Sequence, residues 1–172
     1  MTERLLPWTT GALLALVLTT PSVALAERHF AIDARAGSGL SIGGGDGQAS
    51  MRHTPAYVEA GVHSWTDDES VVLGGSLRVE VEGRASIGGV VRAGFRWTAD
   101  VLELRPTIGL AAILAPYTLV GPEASLMVLV RIAAPLSLVM QLAVDGWVFG
   151  SDLAPGTALV MVNGAGGVEI TL

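Results

Sequence analysis

The chain has 172 residues, of which 51% are hydrophobic and 15% charged, and its formal net charge at pH 7 is −6. So little charge in so apolar a chain is unusual for a soluble domain of this size and indicates a membrane environment. The acidic balance and the lack of a basic stripe argue against nucleic acid as a partner.

Residues 1–26 are predicted to be a cleaved secretory signal peptide. A short polar head precedes an apolar run, and Ala24 and Ala26 supply the small residues of a cleavage site. An uncleaved membrane anchor is the alternative, but the apolar run is short and Pro21 interrupts it. The chain has no cysteine, which excludes a lipid-anchored lipoprotein and disulfide bonds. We expect residues 27–172 to form a single domain.

The rest of the chain alternates apolar and polar residues, as strands with one apolar and one polar face do. In the segment 70–83, Val71 and Val79 share one parity, whereas Arg78 and Glu80 share the other. Eight such segments are predicted to be strands, namely 30–36, 56–65, 70–83, 85–98, 101–114, 123–133, 136–149 and 158–172.

A closed β-barrel explains how so apolar a chain could cross a membrane without a helix. The longest uncharged stretch after residue 26, residues 106–122, contains three prolines and is too short for a spanning helix. Only helices and closed barrels satisfy the backbone within a bilayer. The sequence therefore predicts an all-β fold, an eight-stranded antiparallel up-and-down transmembrane β-barrel.

A soluble periplasmic barrel is the alternative all-β interpretation, with the apolar face turned inward. The polar faces favour the membrane barrel, because they are rich in small residues such as Gly74, Ser76, Gly88 and Ser125 rather than in long polar side chains. Small residues suit the narrow interior of an eight-stranded barrel. With both ends of the barrel domain in the periplasm, connections after odd strands should be the longer ones, and residues 37–55 are predicted to be a surface loop.

Fourteen charged residues lie on the polar faces and are predicted to form a charge network in the lumen. They are Asp33, Arg35, Glu59, Arg78, Glu80, Glu82, Arg92, Arg96, Glu103, Arg105, Glu123, Arg131, Asp145 and Glu169. Buried charges need partners, so we expect ion pairs between neighbouring strands. Pairing about the predicted turns brings Arg96 to Glu103 and places Glu80 within reach of Arg92. Such a network either closes the lumen or lines a narrow conduit.

The small residues Ala24-Leu25-Ala26, the eight alternating segments and the final strand ending at Leu172 resemble the small eight-stranded outer-membrane barrels. These include the opacity-type proteins and the barrel of the outer-membrane-protein-A group. The family usually ends on an aromatic residue, whereas this chain ends on Leu172. The resemblance implies an outer-membrane location in a Gram-negative bacterium. Outer-membrane lipids and the barrel-insertion machinery would then be its partners.

Within that resemblance, a structural or surface-interaction role is the first expectation, a narrow ion or solute channel the second and a lipid-directed enzyme the third. The sequence lacks the common hydrolase, metalloprotease and phosphate-loop motifs. His63 and Ser64 adjoin, but adjacent strand residues face opposite sides. We therefore predict no enzymatic activity, no cofactor and no metal site, and leave any surface ligand unassigned.

Overall fold

The computed structural model describes residues 28–45, 48–66, 70–83, 85–153 and 157–172. The predicted signal peptide, residues 1–26, lies outside this part of the chain. The strands are β1 (Arg28–Gly45), β2 (Gln48–Thr66), β3 (Val71–Glu80), β4 (Ser86–Phe95), β5 (Trp97–Ala99), β6 (Leu102–Ala115), β7 (Leu119–Ala133), β8 (Leu136–Trp147), β9 (Phe149–Gly150) and β10 (Ala158–Thr171). No helix long and apolar enough to cross a membrane occurs among the described residues.

The ten strands form a closed antiparallel barrel with eight strand positions, which we call walls. Six walls are single strands, and each of the other two consists of two consecutive strands that pair with the same neighbour. β5 continues β4 beyond Arg96, and both pair with β6; β9 continues β8 beyond Val148, and both pair with β7. Each wall pairs with its neighbours in the chain, and β1 pairs with β10 to close the sheet. The predicted all-β, eight-stranded, up-and-down barrel is confirmed.

Strand alternation separates an apolar exterior from a polar interior. On β3, Leu77 is 66% exposed while the adjacent Arg78 is buried; on β6, Ile108 is 72% exposed while Thr107 is buried. An apolar residue that is exposed in a soluble barrel would be costly, whereas in a bilayer it contacts lipid tails. The apolar faces therefore point outward, and the soluble alternative with an apolar lumen does not fit.

The loop predicted at residues 37–55 is wrong, because β1 and β2 continue through nearly all of it as a hairpin. β1 pairs with β2 out to Gly45 and with β10 out to Gly44, with a register shift between Gly37 and Gly39. Glycines carry no side chain that could alternate, so the sequence pattern is silent here although the backbone is paired on both sides. β2 pairs with β3 only from Tyr57 onward, so the hairpin extends beyond the neighbouring wall.

The predicted length difference between odd and even connections holds only in part. The turns at residues 100–101 and 134–135 are short, as predicted for even connections. At the first odd connection, β1 extends to Gly45 and β2 begins at Gln48, so paired strand replaces most of the predicted loop. Within the described residues, the long β1–β2 hairpin makes the two ends of the barrel unequal.

Candidate functional site

The barrel interior collects most of the predicted charge network. Eleven of the fourteen residues are buried there, namely Asp33, Arg35, Glu59, Arg78, Glu80, Arg92, Glu103, Arg105, Glu123, Asp145 and Glu169. The Arg96 side chain is 25% exposed at the end of the barrel that holds the chain termini. Glu82 and Arg131 are exposed, so they lie outside the buried network.

Glu59 on β2 is the centre of the network. Its carboxylate contacts Arg35 Nη2 at 2.8 Å, Arg78 Nε at 3.0 Å and Arg92 Nη1 at 2.8 Å, and accepts a hydrogen bond from Ser76 Oγ at 2.6 Å. The three guanidinium groups come from β1, β3 and β4. The carboxylate of Glu59 on β2 therefore links four neighbouring walls of the barrel. Hydrogen bonds between a carboxylate and guanidinium groups are among the strongest in proteins.

Arg78 and Arg92 also reach β7 and β8. Arg78 Nη1 donates to Asp145 Oδ2 at 3.0 Å, and Arg92 Nε donates to Glu123 Oε1 at 2.6 Å. Asn163 Nδ2 on β10 donates to the same Asp145 oxygen at 2.8 Å. The two arginine contacts cross the lumen rather than follow the barrel wall, whereas Asn163 and Asp145 lie on neighbouring strands.

Asp33 and His63 form a second buried group on β1 and β2, with Asp33 Oδ1 2.7 Å from His63 Nε2 and Asp33 Oδ2 2.6 Å from Arg35 Nε. Two glycines give them room. A Cβ at Gly61 would lie 2.5 Å from Asp33 Oδ1, and a Cβ at Gly74 would lie 2.5 Å from His63 Nδ1. These two glycines therefore leave room in the lumen for the buried side chains of Asp33 and His63.

A third group lies toward the end of the barrel near the termini. Arg96 donates to both oxygens of Glu103, at 2.8 and 3.0 Å, as predicted from the sequence. Arg105 donates to Glu103 and, with two nitrogens, to Glu169 on β10. The guanidinium groups of Arg96 and Arg105 lie 4.6 and 5.0 Å from the Trp65 ring centroid, within cation–π range.

Two expectations about the network are wrong. Glu82 follows the end of β3 at Glu80, where its carboxylate accepts a hydrogen bond from the backbone of Ala56 instead of facing the lumen. Arg92 pairs with Glu123 and Glu59 rather than with Glu80. Glu80 accepts hydrogen bonds from Ser86 and Tyr117.

Arg131 was also expected in the buried charge network, but it is exposed. It keeps the parity of the buried Leu129 but lies near the end of β7, where it borders a small cavity at the rim and is exposed. Alternation predicted the face of this residue, but not its height along the barrel axis.

Apolar side chains occupy the lumen on either side of the charges. Val90, Ala111, Ile113, Leu119 and Trp147 form one buried cluster toward the end with the β6–β7 turn. Two smaller clusters lie toward the end with the termini, one of Ala31, Trp65 and Val72 and one of Met127, Leu129 and Val139. These apolar residues have the strand parity of the lumen charges, and alternation alone does not show that they pack together.

Asp33, His63 and Glu169 are the group of described residues best placed to hold a metal ion, with ligand atoms within 4.8 Å of one another. Arg105 already binds both oxygens of Glu169, and Arg35 contacts Asp33. A cation placed among these ligands would face two guanidinium groups at close range. The arrangement therefore favours internal ion pairing.

The same fold occurs in solved outer-membrane barrels. Neisserial surface protein A aligns over 82% of this chain and 96% of its own, with 8% identity and a TM-score of 0.50. Ail, the attachment invasion locus protein of Yersinia pestis, aligns over 81% and 98%, with 8% identity and a TM-score of 0.51. The N-terminal barrel of Pseudomonas aeruginosa OprF aligns over 81% and 96%, with 10% identity and a TM-score of 0.51.

At these identities the likeness concerns the fold, which is that of the small eight-stranded outer-membrane β-barrels. No protein-family model matches the chain, and no curated protein matches its sequence.

Proposed function

We propose that this chain is an integral outer-membrane β-barrel whose polar lumen is closed by its own side chains, with a structural or surface-interaction role. The apolar exterior suits contact with outer-membrane lipids, and the barrel-insertion machinery would assemble it. The fold shared with known outer-membrane barrels supports this location.

The main support for a closed lumen is the position of Glu59 among three arginine side chains. Its carboxylate contacts Arg35, Arg78 and Arg92 at 3.0 Å or less, and Arg78 continues across the lumen to Asp145. Eight strands leave an interior only wide enough for side chains. An ion moving along the axis would have to separate several buried ion pairs, which is costly in a low dielectric.

The ends of the lumen support the same proposal. Trp147, 2% exposed, packs with Ile113 and Leu119 toward one end, and Met127 packs with Leu129 toward the other. The cavity beside Arg78 and Trp147 measures about 10 Å³ and the one at the rim beside Arg131 about 50 Å³. A buried water needs about 10–15 Å³ of such space, so the first cavity holds at most about one water and the second, at the rim, only a few.

A surface-interaction role is supported by the long β1–β2 hairpin. Residues 48–54 of β2 pair with β1 but lie beyond the part of β2 that pairs with β3. Met51 on this segment is 65% exposed. By the orientation expected from the termini, this hairpin faces the outside of the cell.

Planar-bilayer recordings of the refolded protein test the closed lumen. We expect no steady conductance above that of the bare bilayer, and we expect Glu59→Ala to open measurable conductance that Glu82→Ala does not. Steady single-channel steps from the unaltered protein would support the channel alternative instead.

Cell fractionation tests the location. The protein should be recovered with the outer membrane, and its gel migration should change on boiling. Recovery in the soluble periplasm with unchanged migration would reject the membrane barrel. Turnover of lipid A by the purified protein would support the lipid-directed enzyme.

A further inference from the structure

The outer surface of the barrel carries an apolar depression that extends from β3 to β8. Its larger part, about 820 Å³, crosses β4, β6, β7 and β8, and its lining includes Val91, Ala93, Ile108, Leu110, Pro122 and Ala124. A second part, about 390 Å³, lies on β3, β4 and β6, where Val71, Phe95 and Pro106 line it. Both parts are lined by Ala93 and Ile108, so they form one continuous depression.

The strand register explains why the outer surface is low here. Ala93 on β4, Ile108 on β6 and Ala124 on β7 are successive cross-strand partners, and Val144 on β8 continues the row. Side chains in such a row lie on the same face of the sheet, which here is the outer face. The methyl groups of Ala93 and Ala124 extend less far from the wall than the exposed side chain of Ile108. The wall is therefore recessed on both sides of Ile108.

One end of the depression lies at the level of exposed aromatic side chains. Val71 is the first residue of β3 and pairs with Phe95, and Trp97 follows Phe95 on the outer face. This is the end of the barrel that holds the termini, which the expected orientation places at the periplasmic interface. At the other end, Pro122 pairs with Leu110, near the middle of β6. The depression thus extends from the periplasmic interface into the hydrocarbon core.

Hydrocarbon is the occupant that suits this position. The depression is continuous with the lipid-facing exterior, and an unfilled apolar space would lose dispersion contacts with its lining. Among the described lining residues, the charged ones are Arg92 and Glu123, which are buried and bind each other in the lumen. They leave the outer face of the depression apolar. A second barrel would fill it poorly, because the convex wall of a barrel meets a recess only at its edges.

We propose that the depression binds a phospholipid of the periplasmic leaflet, with one acyl chain between Phe95 and Pro122 and the headgroup at the level of Trp97. This site rests on the membrane location given under the proposed function. A recessed wall contacts more of an acyl chain than a convex one, and in a bilayer such packing is what distinguishes one apolar partner from another. The periplasmic leaflet is the source, because the depression reaches the interface at that end.

Native mass spectrometry tests the site on barrels reconstituted in phosphatidylethanolamine vesicles and then extracted into mild detergent. We expect a single phospholipid to remain bound to the unaltered protein. Ala93→Leu and Ala124→Leu should lose it, because the larger side chains fill the depression. Both substitutions keep the outer face apolar, and gel migration before and after boiling checks that the variants fold. Ala34→Leu is the matched control, because Ala34 is exposed on β1, away from the depression, and this variant should keep the phospholipid.

The possible outcomes separate this site from other occupants and from the proposed function. Absence of bound phospholipid from the unaltered protein overturns the site, as does equal retention by all three variants. In vesicles that also contain lipid A, retention of lipid A instead of phosphatidylethanolamine overturns the assignment to the periplasmic leaflet. A dimer that Ala93→Leu abolishes would assign the depression to a second copy of the chain. Each of these results leaves the closed lumen intact, which conductance tests separately, and fractionation tests the membrane location.

Discussion

Glu59 on β2 and Arg78 on β3 are directly opposite partners in the barrel wall, and their side chains meet inside it with Arg78 Nε 3.0 Å from Glu59 Oε2. The same guanidinium group reaches Asp145 on β8 at 3.0 Å. One arginine therefore joins neighbouring strands and also opposite sides of the barrel. Because the interior charges link distant strands, removing one of them should lower the stability of the whole barrel.

Glu59→Gln should strongly destabilise the folded barrel. The substitution leaves Arg35, Arg78 and Arg92 without their common carboxylate, and breaking a buried ion pair by removing one partner costs about 3–5 kcal/mol. The free energy of unfolding in urea, measured in vesicles, checks this. Glu82→Gln is the control, because Glu82 is exposed, and should change stability by less than about 0.5 kcal/mol. Equal effects of both substitutions would contradict the central role of Glu59.

Arg96 and Glu103 should show a coupling free energy in a double-mutant cycle. Their bidentate contact predicts a coupling of about 0.5–3 kcal/mol when Arg96→Ala, Glu103→Ala and the double mutant are compared. Glu103→Ala should cost more than Arg96→Ala, because Glu103 also binds Arg105 and is the more buried partner. Strictly additive losses would show that the contact contributes nothing to stability.

Arginine substitutions on the exterior should show a dependence on depth. Ile108→Arg, in the middle of β6, should lower the free energy of unfolding in bilayers by about 2–4 kcal/mol. Leu104→Arg and Val128→Arg lie nearer the strand ends and opposite each other, so each should cost less. Ile108→Leu serves as the control that keeps the surface apolar. An equal loss of unfolding free energy for all three arginine substitutions would contradict the placement of Ile108 nearest the middle of the membrane.

Gly74→Ala should destabilise the barrel although alanine is small. Its Cβ would lie 2.5 Å from His63 Nδ1, and crowding of a packed interior typically costs about 1–3 kcal/mol. Gly164→Ala is the matched control, because a Cβ at that strand position meets nothing within 4 Å. Thermal unfolding of both variants in detergent micelles measures the difference. A Gly74→Ala variant as stable as Gly164→Ala would show that His63 is not held where the structure places it.

The strand number and the facing of most side chains could be predicted because alternation records which face meets lipid. The pattern fails where side chains are absent or where a strand ends. Gly43 and Gly44 carry no periodic signal, so alternation places the end of β1 too early. Glu82 has the parity of a lumen residue, but β3 ends before reaching it.

The partners of the lumen charges were harder to predict than their positions. Register arguments relate only adjacent strands, and they correctly brought Arg96 to Glu103. Arg92 on β4 instead pairs with Glu123 on β7, two walls away across the interior. The sequence carries no signal for such contacts, because they depend on the diameter of the closed barrel and on the reach of the arginine side chain.

The seam between β1 and β10 has a consequence for assembly. It pairs residues from Ala31 with Thr171 through Gly44 with Ala158, so it joins segments that lie nearly a whole chain apart. Contacts of such large sequence separation form slowly, because the intervening chain must be ordered or looped first. Until that seam forms, β1 and β10 each present an unpaired edge, which is intolerable in lipid. During assembly, the unpaired backbone edges of β1 and β10 must therefore be kept away from lipid until the two strands pair.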